Sequence, residues 1–146
     1  MAAFARTATL AWTGEVTRGT GAIAAGSGAF GIPVTFPRLS GEPPGVTTPE
    51  ELLAAAHATC FGIGLRSILA QRGAVAERIR ATATITAEKG TGQIRITGAH
   101  VDAVVEGLTG IDASALEEAG RSAEDGCTIS AVLRATVPVT VAVRPG

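Results

Sequence analysis

The segment Thr48-Pro49-Glu50-Glu51 constrains this 146-residue chain more than any other, because it signals a helix start in three independent ways. Thr48 is placed to cap, Pro49 suits the first helical position, and Glu51 falls three residues after the cap. An apolar, alanine-rich run follows as far as Gln71-Arg72, where Gly73 reads as the C-terminal stop. The most apolar window, Leu52 to Leu65, is bounded by Glu50-Glu51 and Arg66 and is shorter than the roughly 20 residues that span a bilayer. It therefore predicts a buried helix. Gly62 and Gly64 inside it would each cost about 1 kcal/mol against Ala, so close packing is expected there.

Shorter elements surround this helix. Arg6 to Phe36 is rich in Thr, Val, Ile and Ala broken by glycines, which predicts short strands in a meander. Three prolines and two glycines between Pro37 and Gly45 make a loop, and Arg38 lies on it. Ile79 to Ala87 and Gln93 to Val105 alternate as strands around Glu88–Gly92, which reads as a hairpin. Asp112 to Glu124 predicts a helix capped by Asp112 or Ser114, Thr128 to Arg134 a second short one, and Val137 to Val143 a closing strand. No linker or internal repeat divides the chain, so a single domain over 1–146 is expected.

Hydrophobic residues make up 46% of the chain and charged ones 17%, which favours a folded core over disorder. A net charge of −1 with scattered basic residues, 3% aromatics and no Tyr argues against nucleic acid as a partner. The N-terminus lacks a basic region followed by an apolar run and a cleavage site, so a cytoplasmic protein is expected, neither secreted nor in a membrane.

Two cysteines, Cys60 and Cys127, stand 67 positions apart, too far for a CxxC pair or a paired-ligand zinc pattern. His57 precedes Cys60 by three residues on the same helical face, where it is either a packed core histidine or a base that lowers the thiol's pKa. Cys127 follows Gly126 and opens a short helix, whose unpaired N–H groups and dipole favour a thiolate; a small buried residue is an equal alternative there, and for Cys60 in its apolar run it is the plainer reading. Arg38 lies just before an acidic helix start, well placed for a bidentate pair. Glu51 has a capping duty and Glu50 does not. Zinc would accept Cys60, His57, Cys127 and His100, although their spacing does not support a site. A Cys–His hydrolase would need an orienting partner and an oxyanion hole that the sequence does not supply.

The run from Thr47 to Phe61, Thr-Thr-Pro-Glu-Glu-Leu-Leu-Ala-Ala-Ala-His-Ala-Thr-Cys-Phe, resembles the central-helix signature of the OsmC branch of the OsmC/Ohr family. Gly126-Cys-Thr-Ile-Ser130 is similar to that family's second-cysteine motif. Ala11-Trp12-Thr-Gly-Glu, Arg38-Leu-Ser-Gly and Gly110-Ile-Asp-Ala-Ser follow in the expected order, so the resemblance covers nearly the whole chain.

That resemblance implies an α+β fold, with curved antiparallel sheets around long central helices in an intertwined homodimer. It implies a thiol-dependent peroxidase for organic hydroperoxides and hydrogen peroxide, with no cofactor and an external thiol or lipoylated-protein dithiol as reductant. By the same resemblance Cys60 is the attacking thiol, Cys127 resolves it, and Arg38 and Glu50 form a polar pair beside the reactive sulfur. Thr128 stands where the family often has Pro, which implies a looser helix start and an altered Cys127 thiol. Thr48 replaces the usual Asn, and both cap helices well.

Ten residues of helix separate Glu50 from Cys60 by about 15 Å, so the two cannot touch within one helix. If both line one site, the Glu50 serving a given Cys60 comes from a partner subunit. A small-molecule or lipid-binding protein without redox chemistry is the alternative on the same fold. A permanent structural disulfide disagrees with a reducing cytosol.

Overall fold

The computed structural model describes all residues from Met1 to Gly146. The chain falls into two compact units, Met1–Leu52 and Leu53–Gly146.

In the first unit three short strands, β1 (Ala8–Thr13), β2 (Thr20–Ala25) and β3 (Gly31–Val34), form an antiparallel meander. Gly14 and Gly28 turn the chain between them with φ of +93° and +77°, a region that favours glycine. A lone parallel bridge from Val34 to Thr47 closes the proline-rich loop and sets Thr47 and Thr48 at the start of the long helix α1 (Pro49–Gln71).

The start of α1 follows the sequence only in part. Thr48 Oγ1 accepts the Glu51 N–H at 3.3 Å, as a cap should. The Glu51 carboxylate instead accepts from the Thr47 hydroxyl at 2.7 Å, so the reciprocal half of a capping box is replaced by a neighbouring hydroxyl. At the other end Gly73 adopts φ +70° and the Ala74 N–H reaches back to Leu69 O at 2.9 Å, the closure of a Schellman turn.

In the second unit β4 (Arg78–Lys89) and β5 (Ile94–Glu106) form a long antiparallel hairpin with a bulge at Thr86/Ala87. β5 then leads through α2 (Ala113–Gly126) and α3 (Thr128–Arg134) to β6 (Val139–Pro145), which pairs parallel to β5. The sheet is thus mixed, not antiparallel throughout, because a helical crossover returns the chain in its original direction. Asp112 caps α2 by accepting the Ala115 N–H at 2.8 Å, which resolves the choice between Asp112 and Ser114.

The core of this unit lies where Phe61, Leu65 and Leu69 of α1 meet Val101, Ala103 and Val105 of β5 and Leu116, Ala119 and Ala123 of α2. Their spacing on α1 is a single stripe at every fourth residue, and His57 extends it by one turn. The expected buried helix is therefore buried along one stripe: Ile63, off it, is 68% exposed. By length and hydropathy α1 also matches a membrane span, as core helices of soluble proteins do. Nor do its glycines mark unusually close packing. A Cβ on Gly62 would lie 3.6 Å from that of Ala81, and one on Gly64 3.9 Å from Ala123 O, both ordinary contacts.

Candidate active site

Cys60 and Cys127 come together in the second unit as two free thiols, close enough for each to shift the other's pKa. Cys60 packs half-buried against the core, whereas Cys127 is 2% exposed. Cys127 is the hinge between two helices. Its backbone is extended (φ −77°, ψ 116°), its N–H closes on Glu124 O at 3.2 Å, and its sulfur caps α3 by accepting the Ser130 N–H at 3.4 Å. Arg134 braces the same corner by donating to Glu124 O at 3.0 Å and pairing with the Glu124 carboxylate.

The residue after this hinge faces the other sulfur. Thr128 Oγ1 lies 3.6 Å from Cys60 Sγ, and the backbone N–H groups of Thr128 and Ile129 act on that sulfur to lower its pKa. The start of α3 thus serves mainly Cys60, and Cys127 keeps the Ser130 amide.

This division makes the thiols unequal. Burial pushes the Cys60 thiol up, but hydrogen bonds from Cys127, from the Ile129 amide and from both donors of Thr128 outweigh it, leaving Cys60 below the ordinary cysteine value. Burial also raises Cys127, and its bond to Cys60 raises it further; the Ser130 donors offset this only in part. At neutral pH Cys60 is the better thiolate, and Cys127 keeps its proton.

Of the two roles its spacing left open, His57 is the packed core histidine and not the base. Its Nε2 lies 2.8 Å from Ser130 Oγ, both residues are fully buried, and its Nδ1 has no partner. Burial lowers its pKa, and the Glu124 charge restores only part of the loss, so the ring is neutral and lends Cys60 no positive charge. It ties α1 to α3 instead. His100 bonds Thr140 at 2.7 Å across β5 and β6, and nowhere do three or more His, Cys, Asp or Glu side chains converge on a metal position.

Arg38 and Glu50 belong to the first unit. Arg38 is exposed, and its backbone N–H is fixed by the Glu42 carboxylate at 2.8 Å. No ion pair joins it to Glu50 within the chain, and Glu50 Oε2 is buried without a partner. Two residues that the structure sets beside the sulfurs, Ser130 and Thr128, were given no site role by the sequence. Ser130 follows Cys127 by three, the interval at which a capping side chain meets a backbone N–H, and that spacing is the signal that could have found it. Thr128 carried no such signal toward Cys60.

Comparison with known proteins bears on the family and the fold. Residues 41–142 match the family model described as OsmC-like protein. Peroxiredoxin OsmC of Escherichia coli (strain K12) is 35% identical over 128 residues, covering 86% of this chain and 87% of that protein. Among solved structures, the organic hydroperoxide resistance protein OsmC from Legionella pneumophila matches with a TM-score of 0.77 at 23% identity, over 99% of both chains. The organic hydroperoxide resistance protein OhrB of Bacillus subtilis matches with a TM-score of 0.68 at 23% identity, over 94% of this chain and 98% of that one.

Proposed function

The chain belongs to the OsmC-like family, and from that premise we propose that it is a cytoplasmic, thiol-dependent peroxidase whose Cys60 attacks hydroperoxides and whose Cys127 resolves the product. A peroxidase-type role follows from the relatives; the two-cysteine cycle is our reading. The observation that carries it is the pair of free thiols brought together from positions 60 and 127, Cys60 half-buried with its pKa lowered and Cys127 buried with its pKa raised.

In the first step the Cys60 thiolate attacks the terminal oxygen of the hydroperoxide. An S–O bond forms, the O–O bond breaks, the sulfur is oxidised by two electrons, and the departing alkoxide takes up a proton to leave as alcohol. In the second, the Cys127 sulfur attacks the Cys60 sulfenic acid, and the S–S bond replaces S–O as water leaves. An external thiol, or a dithiol such as a lipoylated protein, then reopens the disulfide by exchange.

Arg38 and Glu50 enter this reading through a second copy of the chain. Arg38 would stabilise the charge on sulfur and leaving oxygen, with Glu50 holding its guanidinium. An unpartnered Glu50 carboxylate oxygen, and a long apolar helix with one covered stripe, support a homodimer in which Glu50 serves the opposite subunit's Cys60.

The test is peroxide consumption with a dithiol reductant. Cys60→Ser should abolish turnover, and Cys127→Ser should give one fast oxidation followed by weak turnover; full activity in Cys60→Ser would end the assignment. One feature favours binding without redox chemistry: an apolar cavity of about 250 Å³ in the first unit, lined by Leu10, Trp12, Val16, Val34 and Phe36. Titrating free thiols before and after one equivalent of peroxide separates the readings, since the peroxidase loses two thiols per chain and the binder none.

A further inference from the structure

Thr128 meets the sulfur of Cys60 with its hydroxyl. The hydroxyl oxygen lies 3.6 Å from Sγ, where it can donate to a thiolate, and the backbone amide of Thr128 also favours the charged sulfur. The two residues are 68 positions apart in sequence, and the hinge at Cys127 brings them together, since an extended residue between α2 and α3 aims the first turn of α3 at α1. The side chain is exposed and has no other bond, so folding makes no evident demand on the hydroxyl.

We propose that Thr128 is a catalytic residue, whose hydroxyl and amide together hold the Cys60 thiolate for attack. The inference rests on Cys60 being the attacking thiol. A thiolate is a weak acceptor, but two or three directed donors in a half-buried position favour the charged form over the neutral one. During attack the negative charge leaves sulfur for the departing oxygen, and the hydroxyl, free to rotate, can turn from the sulfur to the oxygen newly bound to it. The sulfur thus keeps its amide contacts and surrenders the rotatable one, and Thr128 remains beside the sulfenic acid that Cys127 must reach. A residue lacking both the hydroxyl and the amide hydrogen could supply neither contact.

The test reads the thiolate without peroxide, which separates it from the peroxidase assignment. The pH dependence of iodoacetamide alkylation is followed at each cysteine by peptide mass spectrometry, in reduced parent, Thr128→Val, Thr128→Ser and Thr128→Pro. Loss of the hydroxyl in Thr128→Val should move the Cys60 profile up by about one pH unit. Thr128→Ser should restore it, and Thr128→Pro, which also lacks the amide hydrogen, should move it further. Because residue 128 is exposed, the Val and Ser variants should keep the parent's circular dichroism. An unchanged Cys60 profile in Thr128→Val, or a shift confined to Cys127, would overturn the proposal. A shift at Cys60 in a protein whose peroxide turnover does not need Cys60 would sink the peroxidase reading and leave Thr128's hold on the thiolate standing.

Discussion

The Nε2 of His57 lies 2.8 Å from the Oγ of Ser130, and neither residue has any exposure to solvent. Ser130 in turn gives its backbone N–H to Cys127. A buried pair of residues 73 positions apart therefore stands behind Cys127. Ser130→Ala would leave the imidazole nitrogen unpaired next to an Nδ1 that already lacks a partner, at a cost of about 1–3 kcal/mol. Urea denaturation should show it as a lower midpoint with an unchanged slope.

The same imidazole makes stability depend on pH. In the unfolded chain His57 takes a proton near its ordinary value of 6.5, whereas in the fold burial holds its pKa lower. Above 6.5 it is neutral in both states and folding carries no penalty. As pH falls below 6.5 the unfolded chain binds the proton first, so stability declines until the folded pKa is reached. Paired denaturation curves at pH 7.5 and 5.5 should show a smaller acid loss in His57→Gln than in the parent. Equal losses in the two proteins would remove His57 as the cause.

At neutral pH the two thiols should differ in rate toward an alkylating agent. Cys60 is half-buried with a lowered pKa and Cys127 is 2% exposed with a raised one, so both access and thiolate fraction favour Cys60. Cys60 should be modified about tenfold faster or more, with peptide mass spectrometry as the readout. Faster labelling of Cys127 would reverse the proposed roles.

Two glycines of α2 should respond oppositely to alanine. A Cβ on Gly120 would come 2.6 Å from Cγ2 of Val143, a stiff β-branched side chain on β6. That overlap should exceed the gain in helix propensity of about 1 kcal/mol and leave Gly120→Ala destabilised by about 1–3 kcal/mol. Gly126, next to Cys127, has nothing within 4 Å of the added carbon and no positive φ, so Gly126→Ala should be neutral or stabilised by up to about 1 kcal/mol. Thermal melts of both variants provide the comparison.

Local signals carried most of the element pattern. Thr48, Pro49 and Gly73 bound α1 because caps and stops act through the nearest backbone groups, and Thr128 to Arg134 is the short helix read from the sequence. What escaped depends on contacts distant in sequence. The parallel pairing of β6 with β5 follows from the crossover and not from any pattern in Val139–Pro145. His57 follows helical spacing to the core, yet its neighbour at three residues, Cys60, is not its partner; Ser130 is. Thr128 reads locally as a variant beside Cys127, and only the hinge shows that its donors face Cys60. Glu50 Oε2 is buried without a partner, which no local pattern announces.

That oxygen leads to the sharpest test of the dimer. In a two-fold dimer where Glu50 serves the opposite Cys60, a Glu50→Ala subunit keeps its thiol and a Cys60→Ser subunit keeps its carboxylate. Each homodimer would be weak or inactive. A mixed dimer would own one complete site, built from the Cys60 of the first and the Glu50 of the second. Unfolding and refolding the two variants together in equal amounts makes half the dimers mixed, so turnover should recover to about a quarter of the parent's per chain. Recovery with rising fraction of mixed dimer, followed by peroxide consumption and native mass spectrometry, is the expected result. Activity fixed at the mean of the two separate variants would show that Glu50 does not act across the interface.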